Sequence, residues 1–151
     1  MGKMLVLATM LGCVLSAQPC PTMEVSIVAD KPEVSTRRMN TVDGRIISLN
    51  QKPLLTLGDF TNANVSLTEG QIVLNVKTTT VGARRIQTFT EKNVGRQIAF
   101  VVNGRLIKLA KILDPITGTS FMLSPFARDE AEKLAASINN KENGCRARDT
   151  R

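Results

Sequence analysis

At 151 residues, 42% hydrophobic and 22% charged, the chain has the size and balance of one globular domain and not of a disordered protein. It contains no histidine, which removes the usual proton shuttle near neutral pH, the commonest metal ligand and every Ser-His or Cys-His nucleophile pair. Its three cysteines argue against a tetrahedral zinc site. Five phenylalanines without Trp or Tyr suit base stacking poorly, and the formal charge of +7 is scattered (Arg37, Arg38, Arg84, Arg85, Arg105, Lys108, Lys111), which reads as solubility and not as a nucleic-acid surface.

The start has the form of a secretory leader over residues 1–17: Lys3, the apolar run Met4 to Leu11, then Gly12-Cys13-Val14-Leu15-Ser16-Ala17, with the small Ala17 before Gln18-Pro19 and Leu15 larger than the position prefers. The run is too short to span a bilayer, and no other segment approaches that length. Two processing modes stay open, cleavage after Ala17 or lipid attachment at Cys13. In either case Cys20 and Cys145 remain, one near each end. In an oxidising compartment they read as a disulfide, with two free thiols as the alternative. The expected location is the periplasm, or the envelope with a lipid anchor if Cys13 is modified.

Residues 18–53 read as short strands and an extension. Met23 to Ile27 alternates apolar with polar, and Asp43-Gly44 turns into a second candidate, Arg45 to Leu49. Pro53 opens an apolar piece, Leu54 to Leu57, closed by Gly58 and Asp59. From Gln71 the pattern sharpens: Ile72, Leu74 and Val76 share one face of a strand. Thr78 to Thr80 offer a cap for a helix of about four turns, with Ala83, Ile86 and Phe89 at three-residue spacing and Gly95 as its stop.

Asn103-Gly104 is the clearest local signal, because a two-residue type I′ hairpin needs φ > 0 at both positions. The turn predicts Val102 opposite Arg105, Phe100 opposite Ile107, and Ile98 opposite Leu109. Ile98, Phe100, Ile107 and Leu109 then face the core. The other face carries Ala99, Val101, Leu106 and Lys108, which is unexpectedly apolar for a solvent side. Phe121 to Leu123 reads as a short returning strand. Ser124-Pro125 reads as a helix start, followed by the stripe Ala127, Ala131, Leu134, Ala135 and Ile138, with Asp129 and Lys133 paired outside. Residues 141–151 form a basic tail. The order implies an α+β fold: an antiparallel sheet with two main helices packed on one face.

The stretch Val94 to Ile107, read as VGRQIAFVVNGRLI, resembles the SecD subunit of the bacterial protein-export channel, whose members read approximately T-x-x-N-x-G-x-x-[LI]-A-[IF]-V-[LV]-[DN]-G-x-[VL]-I. Thr90 and Asn93 occupy the upstream places. Gly82-Ala83, Ile116-Thr117-Gly118, Phe126, Glu130-Ala131 and Leu134-Ala135 match further family motifs in order. The similarity covers about residues 54–139, within a head-like unit read as 54–140. Leu109-Ala110-Lys111 departs from the family's Ser-Ala-Pro, and its glycine-rich turn is reduced to Gly118-Thr119-Ser120. The membrane helices that carry the family's ion-coupling charges have no counterpart here, so energy coupling is not carried over. The resemblance implies a ferredoxin-like head outside the membrane, associated with handling emerging polypeptide.

No catalytic residue, cofactor or metal is expected. Spacing aims no two carboxylates at one point, not even Asp43 and Asp59, and phosphate loops are absent. The expected function is a non-enzymatic binding domain for unfolded polypeptide or for an envelope or translocase protein, with no nucleic acid and with membrane contact only through Cys13. The candidate surface is Val101, Leu106, Arg105 and Lys108, the outer face and edge of the hairpin; the alternative at this face is that a further strand, from residues 23–57 for example, already covers it. The alternative is a structural scaffold without a client.

Overall fold

The computed structural model describes residues 21–140. The leader, Cys13, Cys20, Cys145 and the basic tail lie outside those residues.

Strand β1 (Met23–Ile27) pairs on one side with the two-residue β4 (Leu55–Thr56) and on the other with β7 (Gln97–Val102), which in turn pairs with β8 (Arg105–Lys111). All these pairings are antiparallel and give a four-stranded sheet in the order β4-β1-β7-β8. Strands β2 (Thr36–Asn40) and β3 (Ile46–Asn50) form a separate hairpin. A three-stranded antiparallel sheet holds β5 (Phe60–Thr68), β6 (Gln71–Thr78) and β9 (Ser120–Leu123) in the order β5-β6-β9. A short 3-10 turn (Leu57–Asp59) and two α-helices complete the described residues: α1 (Thr80–Glu91) packs against β4 and β6, and α2 (Arg128–Asn139) against β5 and β6. The α+β class is as the sequence implies, with the strands distributed over three sheets.

One core joins these layers. Met23 and Val25 of β1, Leu55 of β4, Phe60 and Ala63 of β5, Leu74 and Val76 of β6, Ile98, Phe100 and Val102 of β7, and Leu123 of β9 meet Ile86 of α1 and Ala131, Leu134, Ala135 and Ile138 of α2. The α2 stripe is the one the sequence shows, except that Ala127 precedes the helix. That helix begins at Arg128 instead of beside Pro125, because Phe126 is drawn into the core and Ala127 stays extended (φ −71°, ψ 143°).

In α1 the buried line is Gly82, Ile86 and Thr90, with Ala83 and Phe89 only half-buried at its side. Thr79 caps the helix by accepting from the Gly82 amide at 2.9 Å. Gly82 is needed for close approach: a Cβ there would lie 3.1 Å from the Asp59 carbonyl oxygen. Thr90 is buried but satisfied. Its hydroxyl donates to the Ile86 carbonyl at 2.9 Å and accepts from the Ile116 amide at 2.9 Å, tying α1 to the turn before β9.

Two hairpins turn through φ > 0 at both central residues, Asn103-Gly104 (50° and 74°) and Glu69-Gly70 (50° and 77°). The first is the predicted one. The second, between β5 and β6, has Glu in place of the Asn, Asp or Gly that favours its first position, and β5, with weak alternation, is not among the expected strands.

Beyond its turn, the register of the β7–β8 hairpin differs from expectation. Val102 faces Arg105 and Val101 faces Leu106, but Phe100 faces Lys108, Ala99 faces Leu109 and Ile98 faces Ala110. Ile107 is the extra residue of a β-bulge. A bulge moves every later side chain of its strand by one position, so Leu109 leaves the predicted core face. It joins Leu106 on the opposite side, while Ile107 and Ala110 pack on the main core.

Candidate polypeptide-binding edge

The outer face of β7 is covered. Ala99 and Val101 are buried with Leu49 of β3, and Val28, Met39, Ile47, Leu106 and Leu109 pack around them. The β2–β3 hairpin is the lid of this second, smaller core. It is tethered by the Val28–Leu49 bridge and by the Ala29 amide donating to the Ser48 carbonyl at 2.8 Å. Arg37 of β2 adds an ion pair to Glu24 of β1 and a hydrogen bond to the Ser26 hydroxyl at 3.3 Å. The unexpectedly apolar face therefore has a structural cause: β7 is buried from Ile98 through Val102 on both sides.

Of the two readings of this face, the structure corrects the open one and has the covering strand, supplied by residues 36–50. Val101 is 2% exposed, and Leu106 is half-buried at the margin of the same cluster. Neither offers a free surface. Arg105 is exposed, but its guanidinium is taken: one nitrogen donates to both carboxylate oxygens of Glu130, at 3.0 and 2.9 Å. Lys108 and Lys111 are exposed and enter no ion pair among the described residues.

What stays open is the edge. One side of β7 is filled by β1, so the strand offers no edge of its own. Strand β8 has β7 as its one strand partner among the described residues, so its far side presents backbone N–H and C=O groups over seven residues. The other end of the sheet, β4, is two residues long. Strand β5 is also an edge strand, and at one of its nine residues the Asn139 side chain stands in for a neighbour, accepting from the Ala63 amide at 2.8 Å and donating to the Ala63 carbonyl at 2.7 Å.

Carboxylates are dispersed. Asp59 holds Arg85 at 3.1 Å and accepts from the Thr56 amide at 2.9 Å, while Asp43 is bound by Thr41 and Arg45 in the β2–β3 turn. Among the described residues, no group of three or more His, Cys, Asp or Glu side chains comes together.

Residues 32–141 match the SecDF, P1 head subdomain family. The chain belongs to that family. Among curated proteins, it is 40% identical over 86 residues to the protein translocase subunit SecD of Dictyoglomus turgidum, which is 56% of this chain and 22% of that one. The SecD of Thermobaculum terrenum is 27% identical over 122 residues, 80% of this chain and 21% of that one. The chain thus spans about a fifth of the length of these SecD relatives. A solved structure described as a membrane component SecDF that enhances protein export superposes with a TM-score of 0.60 at 21% identity. The match covers 78% of this chain and 61% of that one. SecDF in a super-membrane-facing form gives 0.59 at 22% identity, covering 78% and 18%. At these identities the likeness to SecDF is one of fold. No helix among the described residues is long and apolar enough to cross a membrane.

Proposed function

We propose that this P1 head acts in protein export outside the cytoplasm, and that it is a non-enzymatic binding domain which holds extended polypeptide at the free edge of β8. One observation carries this reading: β8 offers an unpaired strand edge of seven residues, whereas the rest of its sheet is paired or nearly absent. An extended segment could add itself there as a further strand, its backbone satisfying the open groups whatever its sequence. Such tolerance suits a client of no fixed sequence. Lys108 and Lys111 flank that edge and favour acidic segments, so binding weakens as salt rises. The same lysines discourage pairing with the identical edge of a second copy through like-charge repulsion.

The test is titration of a reduced, unfolded client, followed by hydrogen exchange. Bound client slows exchange of the amides of residues 105–111, and Lys108→Glu/Lys111→Glu weakens an acidic client. Unchanged exchange over these residues at saturating client would sink the reading. A second reading, a scaffold that docks other envelope proteins and takes no client, is favoured by the hairpin lid that consumes the apolar face of β7. Absence of client binding in the same titration selects it.

A further inference from the structure

Helix α1 has a second stripe, opposite in role to its buried one. Val81, Arg84, Thr88 and Lys92 recur at three- and four-residue steps, so they stand in one line along the helix. All four are exposed, Val81 at 65%. They border a groove of about 750 Å³ that also takes in Leu54 and Phe89. That volume is within the range of ordinary ligand sites.

The charges on this groove are one-sided. Arg85, at its margin, is bound to Asp59 at 3.1 Å and reaches the Leu54 carbonyl at 3.4 Å. Arg84 and Lys92 enter no ion pair among the described residues, and no carboxylate lines the groove. The nearby Glu91 accepts from the Gln87 side chain at 2.9 Å. The result is an apolar trough between two uncommitted cations.

We infer that this groove docks a short acidic segment of a partner protein. One or two large apolar side chains of that segment seat among Leu54, Val81 and Phe89, and flanking carboxylates meet Arg84 and Lys92. Charge complementarity selects the sign of the partner, and the trough selects a chain that carries apolar side chains on a narrow front. A nucleic acid would bring phosphates without such side chains. A planar bilayer would meet the rim of a concave trough and not its floor. The site lies on a different element from the β8 edge and does not depend on the reading proposed for that edge.

The probe is a fluorescent peptide with two leucines one helical turn apart between glutamates, compared with the same peptide carrying glutamine at every glutamate. The full chain is used, with backbone resonances of residues 80–93 as a second readout. The glutamate peptide is expected to shift these resonances. Its affinity should fall about tenfold for the glutamine version, for Arg84→Glu/Lys92→Glu and at high salt, and likewise for Val81→Asp. Arg38→Glu, an exposed position on β2 away from both the groove and the β8 edge, should leave it unchanged. Because residues 81, 84 and 92 are exposed, the variants keep the wild-type far-ultraviolet spectrum. Equal binding of both peptides, resonance shifts confined to other elements, or shifts produced by anionic phospholipid vesicles and not by the peptide would each overturn the proposal. Loss of the glutamate peptide in the β8 variant with retention in the α1 variants would overturn it too, while leaving the edge reading intact.

Discussion

Arg105, at the first position of β8, grips the Glu130 carboxylate in the first turn of α2, with one guanidinium nitrogen 3.0 and 2.9 Å from the two oxygens. The pair spans the hairpin tip and the closing helix, 25 residues apart in the chain. Glu130 thereby serves two positive partners, Arg105 and the N-terminal end of α2.

Arg105 is largely exposed and Glu130 is only partly so, which limits what the pair contributes. A double-mutant cycle of Arg105→Met and Glu130→Gln should give a coupling of about 0.5–1 kcal/mol at low salt, shrinking as salt screens it. Denaturant midpoints of the four proteins measure it. A coupling that ignores salt would mean that packing, not charge, links the two elements.

The lid of the second core should be expensive to disturb. Leu49→Ala removes a fully buried side chain from a small cluster and should cost about 2–4 kcal/mol. Val101→Asp places an unpaired charge in the same cluster and should cost more than about 3 kcal/mol or abolish folding. Urea unfolding checks both. An undisturbed Val101→Asp protein would mean that the β2–β3 hairpin does not cover β7 in solution.

Thr90→Val keeps the shape of the side chain and deletes its hydroxyl, leaving the Ile116 amide without that acceptor. The expected loss is about 1–3 kcal/mol. Hydrogen exchange should rise most at Ile116. Thr90→Ser, which retains the hydroxyl, should recover most of that protection.

The Asp43 carboxyl is held below its ordinary 3.8, first by the Thr41 hydroxyl hydrogen bond and then by the bond from Arg45. The native state therefore binds that proton less readily than the unfolded chain. The associated stabilisation is present above the ordinary aspartate value and fades as pH falls through the depressed one. Carboxyl-carbon resonances should place the Asp43 midpoint below that of an unstructured Asp peptide, and Thr41→Val should raise it towards that reference.

Local chemistry was legible in the chain. Asn103-Gly104 forms its turn because both residues tolerate φ > 0, a property of two residues and their neighbours. The α2 stripe Ala131, Leu134, Ala135 and Ile138 was equally plain, because helical periodicity is written in consecutive sequence. So was the absence of histidine, with the chemistry it excludes. The family was legible too, since its motifs fall in order along the chain.

Only the tertiary structure decided what the apolar side of β7 is for. Val101 and Leu106 carry no mark that separates a binding face from a buried one. The difference lies in Leu49, Ile47 and Met39, which return from about fifty to seventy residues earlier to cover them. The bulge at Ile107 is of the same kind, because it reconciles a strand that must serve two cores at once, and no turn residue announces it. Arg105 looked free for a client because its partner lies on another element. Hydropathy reports how much a side chain gains by leaving water, whereas which surface receives it depends on contacts far apart in the chain.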